Sequence, residues 1–178
     1  AWRDLLYASG GDLELRKCFY YLLHWYWDEG FAKPLFVEEF PYQLMIRDGD
    51  KYTPIVQKEV HEFHRTLGVH MNLLCHMDDE FRFVKAKADR YALLTQQSAF
   101  SRHETELAYW TSYGPSLGYS HCVTTFTPKQ CNRIEQKAIA AFLQRSGFPK
   151  TFPRAMVFGP ISHGGKGFRT GYIEQGVA

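Results

Sequence analysis

The chain has 178 residues, of which 45% are hydrophobic and 16% aromatic, so it can bury the core of one ordinary domain or of two small ones. This composition disfavours a disordered chain, and no apolar run approaches the ~18 residues that a membrane span requires. The net charge of +2 is unevenly distributed: residues 1–80 carry eight Lys and Arg against fourteen Asp and Glu, whereas residues 81–178 carry thirteen against five. A basic C-terminal half favours a polyanionic partner, with a solvated basic face as the alternative.

The N-terminal part of the chain shows strand and turn signals after a short helix. Apolar residues at helical spacing precede Gly10 and Gly11, a pair that predicts a glycine stop. The aromatic block that follows, residues 12–27, predicts a strand buried on both faces near its middle. The segment "DEGFAKP" (28–34) ends that strand.

Two further β-segments are predicted before residue 75. Apolar runs on either side of Asp48-Gly49 predict a hairpin, and Pro54 indicates that its return strand lies at a sheet edge. "RTLGVHMNLL" (65–74) is another strand candidate, in which Gly68 indicates a bulge or a close backbone approach.

Residues 78–147 have the periodicity of helices. Asp78 and Asp79 suit a helix N-terminus, where we expect them to cap the helix over 78–97. This helix shows an apolar stripe of Phe81, Val84, Ala88, Tyr91 and Leu94.

Two capping boxes predict where the next two helices begin. Ser101 and Glu104 begin one helix, which Gly114-Pro115 is expected to end. Residues 115–126 fit a strand or a short helix equally well. Thr127, Pro128 and Gln130 begin the last helix, which is expected to run to about Ser146 and stop at Gly147. The Gly- and Pro-rich remainder predicts irregular or short-stranded structure, and the whole chain therefore predicts an α+β fold.

Metal and nucleophile motifs are weak. His61 and His64 could share a helical face, but the paired spacings of a zinc site are missing, so no metal site is predicted. The four scattered cysteines favour reduced thiols in an intracellular protein. "SHGGKGF" (162–168) lacks the spacing of a phosphate-binding loop and is interpreted as a turn. Asp78 and Asp79 could in principle hold Mg²⁺, but the helix start explains them better.

One basic helix face offers a binding surface. Lys129, Arg133 and Lys137 recur every four residues, so they lie along one face of the predicted helix. A row of cations on a helix can follow phosphates without reading sequence, although plain amphipathicity would produce the same pattern.

The order of several segments resembles reverse transcriptases of non-LTR-like retroelements. "SGGDLELRKCFYY" (9–21) resembles their fourth palm motif, and "RTLGV" (65–69) resembles the fifth, whose Leu-Gly hairpin forms the primer grip. "LTQQSAFSRHETELAYWTSYGPSLGY" (94–119) is similar to the helical thumb with its Pro-x-Leu-x-Tyr element. "FPRAMVFGPISHGGKGFRTGYIEQGVA" (152–178) resembles the Gly-Gly-x-Gly segment that follows the thumb. The resemblance covers almost the whole chain in the expected order.

This resemblance implies a division into three segments. Residues 1–77 would be the C-terminal part of a small antiparallel β palm, 78–147 a helical thumb-like bundle, and 148–178 a post-thumb segment. Leu13 and Leu15 would dock the strand that returns after the glycine pair.

The resemblance also implies site residues and partners. Lys17 would face the nucleotide pocket as a catalytic residue of a complete enzyme, where a cation or general acid assists the departing pyrophosphate; the alternative is a lysine that extends from a buried strand to solvent. The partners would be an RNA–DNA or DNA primer–template duplex and the upstream palm and fingers of the same polyprotein, with no membrane. The residues implied to bind nucleic acid are Arg65, Leu67, Gly68, Lys129, Arg133 and Lys137.

Some family features are missing. No Tyr-x-Asp-Asp sequence occurs, so the paired aspartates that hold the Mg²⁺ ions of a complete enzyme are expected upstream, and no cofactor is expected in this fragment. The segment from Gly30 to Val60 is longer than a plain palm connection, and Lys166 stands where an apolar residue is commoner. Neither end of the chain carries the signals that close a domain. The sequence thus predicts an intracellular, cytoplasmic or nuclear fragment that is inactive alone; the alternatives are a non-catalytic nucleic-acid-binding module and a structural or protein-interaction domain.

Overall fold

The computed structural model describes residues 2–11, 14, 17–36, 43–48 and 51–177, which contacts between residues divide into two compact units. The first unit comprises Ala1–Glu62 with Asn72–Leu74, and the second comprises Phe63–Met71 with Cys75–Ala178. The first unit contains one short helix and six short strands: α1 (Trp2–Ala8), β1 (Phe19–Tyr21), β2 (Leu23–Asp28), β3 (Phe31–Phe36), β4 (Met45–Asp48), β5 (Lys51–Pro54) and β6 (Val56–Lys58).

The second unit is mainly helical. It contains β7 (His64–Thr66), β8 (Val69–Met71), α2 (Asp78–Gln97), α3 (Arg102–Ala108), a π-helical turn (Tyr109–Tyr113), α4 (Gly114–His121), α5 (Pro128–Arg145), α6 (Arg154–Phe158), a 3₁₀ turn (Ile161–His163) and α7 (Gly171–Val177). Strands followed by helices confirm the predicted α+β class. No helix among the described residues is long and apolar enough to cross a membrane.

The described strands form four separate two-stranded ladders rather than one sheet. β2–β3, β4–β5 and β7–β8 are antiparallel, and β1–β6 is parallel. The predicted hairpin at Asp48-Gly49 is confirmed, because Asp48 pairs with Lys51 across a two-residue connection. Gly49 itself lies outside the described residues, as do Leu13 and Leu15.

The glycine stop at Gly10-Gly11 is also confirmed. Gly10 has φ +82°, and the amide groups of Gly10 and Gly11 donate hydrogen bonds to the carbonyls of Tyr7 and Leu6. This pairing is the Schellman arrangement that closes α1.

The aromatic block is not a strand buried on both faces, so that prediction is wrong. The block divides into β1 and β2, and Trp25 and Trp27 are 58% and 79% exposed. Within the described part of the chain β2 pairs with β3 alone, and a two-stranded hairpin has no neighbouring strand or helix layer to cover both faces. The high β-propensity of the aromatic residues correctly indicated strands but carried no information about burial.

The helix limits follow the predicted capping signals. α2 spans the predicted 78–97, and α5 begins at the capping box formed by Thr127 and Gln130. Gly147, with φ +88°, follows the end of α5 as expected. Asp78 occupies the first turn of α2 but does not cap it, because the N-cap position is Met77 and no side chain closes it.

The helix that begins at Ser101 does not end at Gly114-Pro115, contrary to the sequence-based prediction. The π-helical turn lets the Gly114 amide donate to the Tyr109 carbonyl five residues earlier, and α4 then continues through Pro115 to His121. Pro115 lies in the first turn of α4, where its missing N–H is tolerated. Residues 115–121 are therefore helical, and 122–126 are not.

The hydrophobic core lies within the second unit. α2 and α5 run side by side in the same direction, since the Phe81 ring is 6.0 Å from that of Phe126 and Asp89 pairs with Lys137. Their facing sides, together with the π-turn, bury a continuous cluster that includes Val84, Ala88, Tyr109, Tyr113, Ile134, Ala138 and Phe142.

One sequence-based detail of this unit was wrong, and another was right only in part. Leu94 does not continue the apolar stripe of α2, because it is 52% exposed; Ala92 and Thr95 take the buried positions of that last turn. The C-terminal segment is irregular over 148–153 and 164–170, as one of the two predicted alternatives states, but its described part contains the short helices α6 and α7 and not the short strands of the other alternative.

Candidate nucleic-acid interface

Leu67 and Gly68 form the tip of a tight hairpin between β7 and β8. Thr66 pairs with Val69, and the two tip residues have φ angles of +50° and +93°. Positive φ at both positions is the geometry of a type I′ turn, whose twist suits paired antiparallel strands. Gly68 is thus a turn residue and not a bulge, and Leu67 extends into solvent with 85% of its surface exposed.

The hairpin is fixed to the helices by two sets of hydrogen bonds. Tyr119, on α4, donates its hydroxyl to the Leu67 carbonyl. The buried Glu80 carboxylate, on α2, accepts the backbone N–H of His70 at 2.8 Å and lies 2.9 Å from its Nδ1. An anchor at the tip and another on β8 hold the exposed Leu67 in a defined position.

Arg65 lies beside this tip. Its Nε donates to the Gly68 carbonyl at 3.3 Å, and its guanidinium group lies 5.4 Å from the centre of the Phe83 ring. Arg65 therefore places a positive charge beside the hairpin, and its hydrogen bond to Gly68 stabilises the turn.

Lys129, Arg133 and Lys137 form an exposed row along α5, which we call the cationic row. The opposite side of α5 is buried, so core packing fixes which face the row presents. Lys137 is 3.4 Å from Asp89, which also pairs with Lys85 at 2.8 Å.

Asp89 neutralises part of this charge. Burial disfavours its charged form, but the hydrogen bonds and charges of Lys85 and Lys137 outweigh burial and hold the pKa of Asp89 below its usual value. Among the described residues, no ion pair engages Lys129 or Arg133. Two of the three cations in the row are thus available for a polyanion.

The hairpin and the cationic row contact different sides of α2. Phe83 of α2 contacts Arg65 of the hairpin, and Asp89 of α2 contacts Lys137 of the row. Phe83 and Asp89 are six residues apart, so their side chains are rotated by about 120° around the axis of α2. The solvent-exposed face of α2 between these two sides carries Arg82 and Arg90. Arg82 pairs with Asp79 at 3.0 Å. A ligand that reached both predicted sites would have to cross this face.

Lys17 belongs to the first unit, whereas the other six predicted site residues belong to the second. Lys17 is exposed and lies in a single helical turn two residues before β1, with its amide bonded to the Glu14 carbonyl at 2.9 Å. It is therefore not a buried strand residue that reaches for solvent.

The described residues contain no group of three or more His, Cys, Asp or Glu side chains arranged to hold a metal ion. His61, one of the two histidines considered from the sequence, lies 2.8 Å from the Glu59 carboxylate.

Several residues of this surface escaped the sequence analysis. Tyr119 was recognised only as part of a motif, and its contact spans 52 positions of the chain. Arg82 and Arg90 could have been found from the period of α2, since they lie on the face opposite its apolar stripe. No local signal distinguishes the buried Glu80 from Asp78 and Asp79, which are not buried.

Comparison of the chain with protein-family models, with curated proteins and with solved structures finds no match.

Proposed function

We propose that this chain is the C-terminal palm and thumb portion of a retroelement reverse transcriptase, and that it grips a primer–template duplex. The observation that carries the proposal is the Leu67-Gly68 hairpin, fixed by Tyr119 and Glu80 onto helices with an exposed cationic row. The ordered resemblance of four segments supports the same function.

In this proposal the helical unit supplies positioning contacts. Lys129, Arg133 and Lys137 would contact successive phosphates of an RNA–DNA or DNA duplex, and Arg82 and Arg90 would extend the positive surface across α2. The exposed Leu67 would pack against the primer sugar–phosphate chain. These contacts read no base edges, so binding is expected to be independent of sequence.

The proposed function contains no chemical step by this chain alone. The aspartates that hold catalytic Mg²⁺, together with the fingers, would belong to upstream parts of the same polyprotein. Retroelement replication would place the protein in the cytoplasm or the nucleus.

Replacement of the row tests duplex binding. The combined change Lys129→Ala, Arg133→Ala and Lys137→Ala should weaken binding to an RNA–DNA duplex equally for all sequences. Because each lost phosphate contact removes about 0.9 from the slope of log K against log salt concentration, the slope should fall by roughly 2 to 3. Fluorescence anisotropy at several salt concentrations measures both quantities.

A matched control separates the row from overall charge. Lys33→Ala, Lys51→Ala and Arg154→Ala remove the same three charges from exposed positions outside the row. If the control variant loses as much affinity and slope as the row variant, or if neither changes, the basic face is merely solvated and the proposal fails.

A non-catalytic nucleic-acid-binding module is the second candidate, because the same cationic row would serve it. Fusion to the upstream palm and fingers followed by a primer-extension assay distinguishes the two. Extension supports the polymerase fragment, and duplex binding without extension supports the module.

Lys17 has a separate test in the complete enzyme. If Lys17 assists the departing pyrophosphate, Lys17→Ala should slow the chemical step in single-turnover extension by at least about tenfold, with little change in duplex affinity. Lys17→Arg, which keeps the charge, should recover part of the rate. An affinity loss without a slower chemical step would contradict the catalytic role.

A further inference from the structure

A pocket of about 420 Å³ opens beside the π-helical turn, and neither the residues of the β7–β8 hairpin nor those of the cationic row line it. This volume lies within the range of small-molecule sites, roughly 300–1,000 Å³. π-Helical turns frequently mark functional sites, because the extra residue changes which side chains face inward. The residues that matter for its chemistry are Trp110, Tyr113, Leu117, His121, Glu135 and Arg169.

Two buried polar atoms on the pocket wall have no hydrogen-bond partner among the described residues. They are the Tyr113 hydroxyl and Nε2 of His121, and each of these residues is only 3% exposed. The neighbouring Tyr109 differs, because its hydroxyl accepts the Arg169 N–H at 2.9 Å and lies 3.3 Å from the Arg169 carbonyl. A buried polar group without a partner costs free energy, and a ligand that supplies the partner recovers it.

Glu135 and His121 point toward the same small space. The Gly171 amide donates to the Glu135 carboxylate, and a Cβ at position 171 would lie 2.5 Å from Nε2 of His121 and 2.8 Å from Oε1 of Glu135. Only glycine fits between these atoms. Nε2 of His121 and Oε1 of Glu135 thus flank the same backbone position, and both residues line the pocket.

Nε2 of His121 and the ionised carboxylate of Glu135 are hydrogen-bond acceptors. Burial lowers the pKa of His121, so its ring is neutral, and its other nitrogen bonds the Leu117 backbone, which leaves a lone pair on Nε2. Among the wall residues Glu174 pairs with Arg169 at 3.4 Å, so the remaining negative charge is that of Glu135, which ionises above its pKa of about 7. Acceptors and an excess of negative charge favour a cationic donor.

The remaining wall is aromatic and apolar. The Tyr109 and Tyr113 rings are 5.4 Å apart, and Trp110 lies at the partly exposed edge. Aromatic faces attract cations and pack against planar rings. The ligand thus requires an apolar or aromatic body as well as a charged donor group.

We propose that this pocket binds a small organic cation with an aromatic or apolar body, whose N–H donors reach His121 and Glu135. Arginine-like amidinium and guanidinium groups fit this description, because one planar group offers several N–H donors to both acceptors. The proposal does not depend on duplex binding.

Benzamidine and benzamide provide a matched pair of probes. They have the same shape, but only benzamidine is charged, so at about pH 8 benzamidine should bind at least about tenfold more tightly. The Cε1–H proton signal of His121, assigned by its loss in His121→Gln, reports binding at this site in an NMR titration. Equal affinity for the two probes, or no binding of either, would overturn the proposal.

Variants identify the groups that bind. Glu135→Gln keeps an acceptor for the Gly171 amide but removes the charge, so the preference for benzamidine should largely disappear. Tyr113→Phe removes only the hydroxyl and should weaken benzamidine binding by roughly three- to tenfold. Unchanged binding in both variants would contradict the site.

A pocket-filling variant provides the last control. A Cβ at Gly118 meets no atom within 4 Å, so Gly118→Leu can fill the pocket without displacing backbone. It should abolish benzamidine binding while leaving the circular dichroism spectrum and duplex affinity unchanged. Benzamidine binding that survives Gly118→Leu would place the ligand elsewhere and refute the proposal, whereas loss of duplex binding alone would concern only the proposed function.

Discussion

Glu135 extends a carboxyl group into the interior of the helical unit, where it is 7% exposed. Burial raises its pKa from 4.5 to about 7, although the Gly171 amide and the charge of Arg154 partly oppose this rise. The same surroundings raise the pKa of Tyr109 to about 12, mainly through burial. The titratable groups that face Glu135 are Tyr109, Tyr113, His121, Cys131 and Arg154.

The raised pKa of Glu135 predicts a pH-dependent stability. Below about pH 4.5 the Glu135 carboxyl is protonated in both the folded and the unfolded state. As the pH rises toward 7 the unfolded chain ionises first, so the free energy of unfolding falls by up to roughly 3 kcal/mol. Glu135→Gln cannot ionise and should become progressively more stable than the wild type across this window. Urea unfolding at several pH values measures the difference.

The comparison with Glu135→Gln isolates this group from its neighbour. His121, whose pKa is lowered by burial, acts in the opposite sense, because its contribution to stability is lost as the pH falls below its unfolded value of 6.5. Both chains contain His121, so only the part of its titration that depends on the charge of Glu135 remains in the difference. A difference that does not vary with pH would contradict the burial of an ionisable Glu135.

Among the secondary-structure elements, the β2–β3 and β7–β8 hairpins share an unusual feature. Each begins its two-residue turn with a side chain in the left-handed region: Leu67 in the β7–β8 hairpin and Glu29 in the β2–β3 hairpin, with φ angles of +50° and +49°. Asn and Gly tolerate this conformation better than Leu or Glu. A strained, exposed leucine at a turn is understandable if it contacts a ligand, since backbone strain concentrates at functional sites.

Leu67→Asn is therefore expected to increase the local stability of the β7–β8 hairpin and to weaken duplex binding. The exchange of hairpin amide protons should slow by an amount equivalent to about 0.5–1 kcal/mol, because Asn relieves the strain, while duplex affinity should fall. Glu29→Asn, the matched change in the other hairpin, should slow exchange locally without weakening the duplex. A Leu67→Asn variant that binds the duplex as tightly as the wild type would exclude Leu67 from the grip.

At the scale of the whole molecule, apolar burial is unequal between the two units. The continuous hydrophobic cluster lies entirely in the second unit, whereas Val60 is the only fully buried apolar side chain described in the first. Apolar burial provides most of the free energy that opposes conformational entropy. The helical unit should therefore hold most of the stability.

The two units are expected to differ in the protection of their backbone amides from hydrogen exchange. Amides in the buried turns of α2 and α5 should exchange only through global unfolding, whereas β1, β2 and β3 should exchange by local opening with much lower protection. Exchange followed by mass spectrometry on proteolytic peptides measures this difference. Comparable protection in both units would show that the first unit has stability that its described side-chain packing does not explain.

Features that depend on neighbouring residues could be predicted from the amino-acid sequence. Helix limits at Ser101, Thr127 and Gly147 follow from hydrogen bonds between residues three or four positions apart, and the exposed face of the cationic row follows from the helix period. The hairpin at Asp48-Gly49 has the same local origin.

The fold was needed to show which residues are buried and which residues distant in the chain are in contact. Three features depend on which surfaces the rest of the chain covers. They are the exposure of Trp25, the continuation of a helix through Pro115, and the pocket that Tyr113 and Glu135 line. The residues next to a side chain in the sequence do not determine whether it is buried, because the free energy of burial comes from contacts between distant segments. For that reason the polar groups of the pocket, unlike the cationic row, could not be recognised before the fold was known.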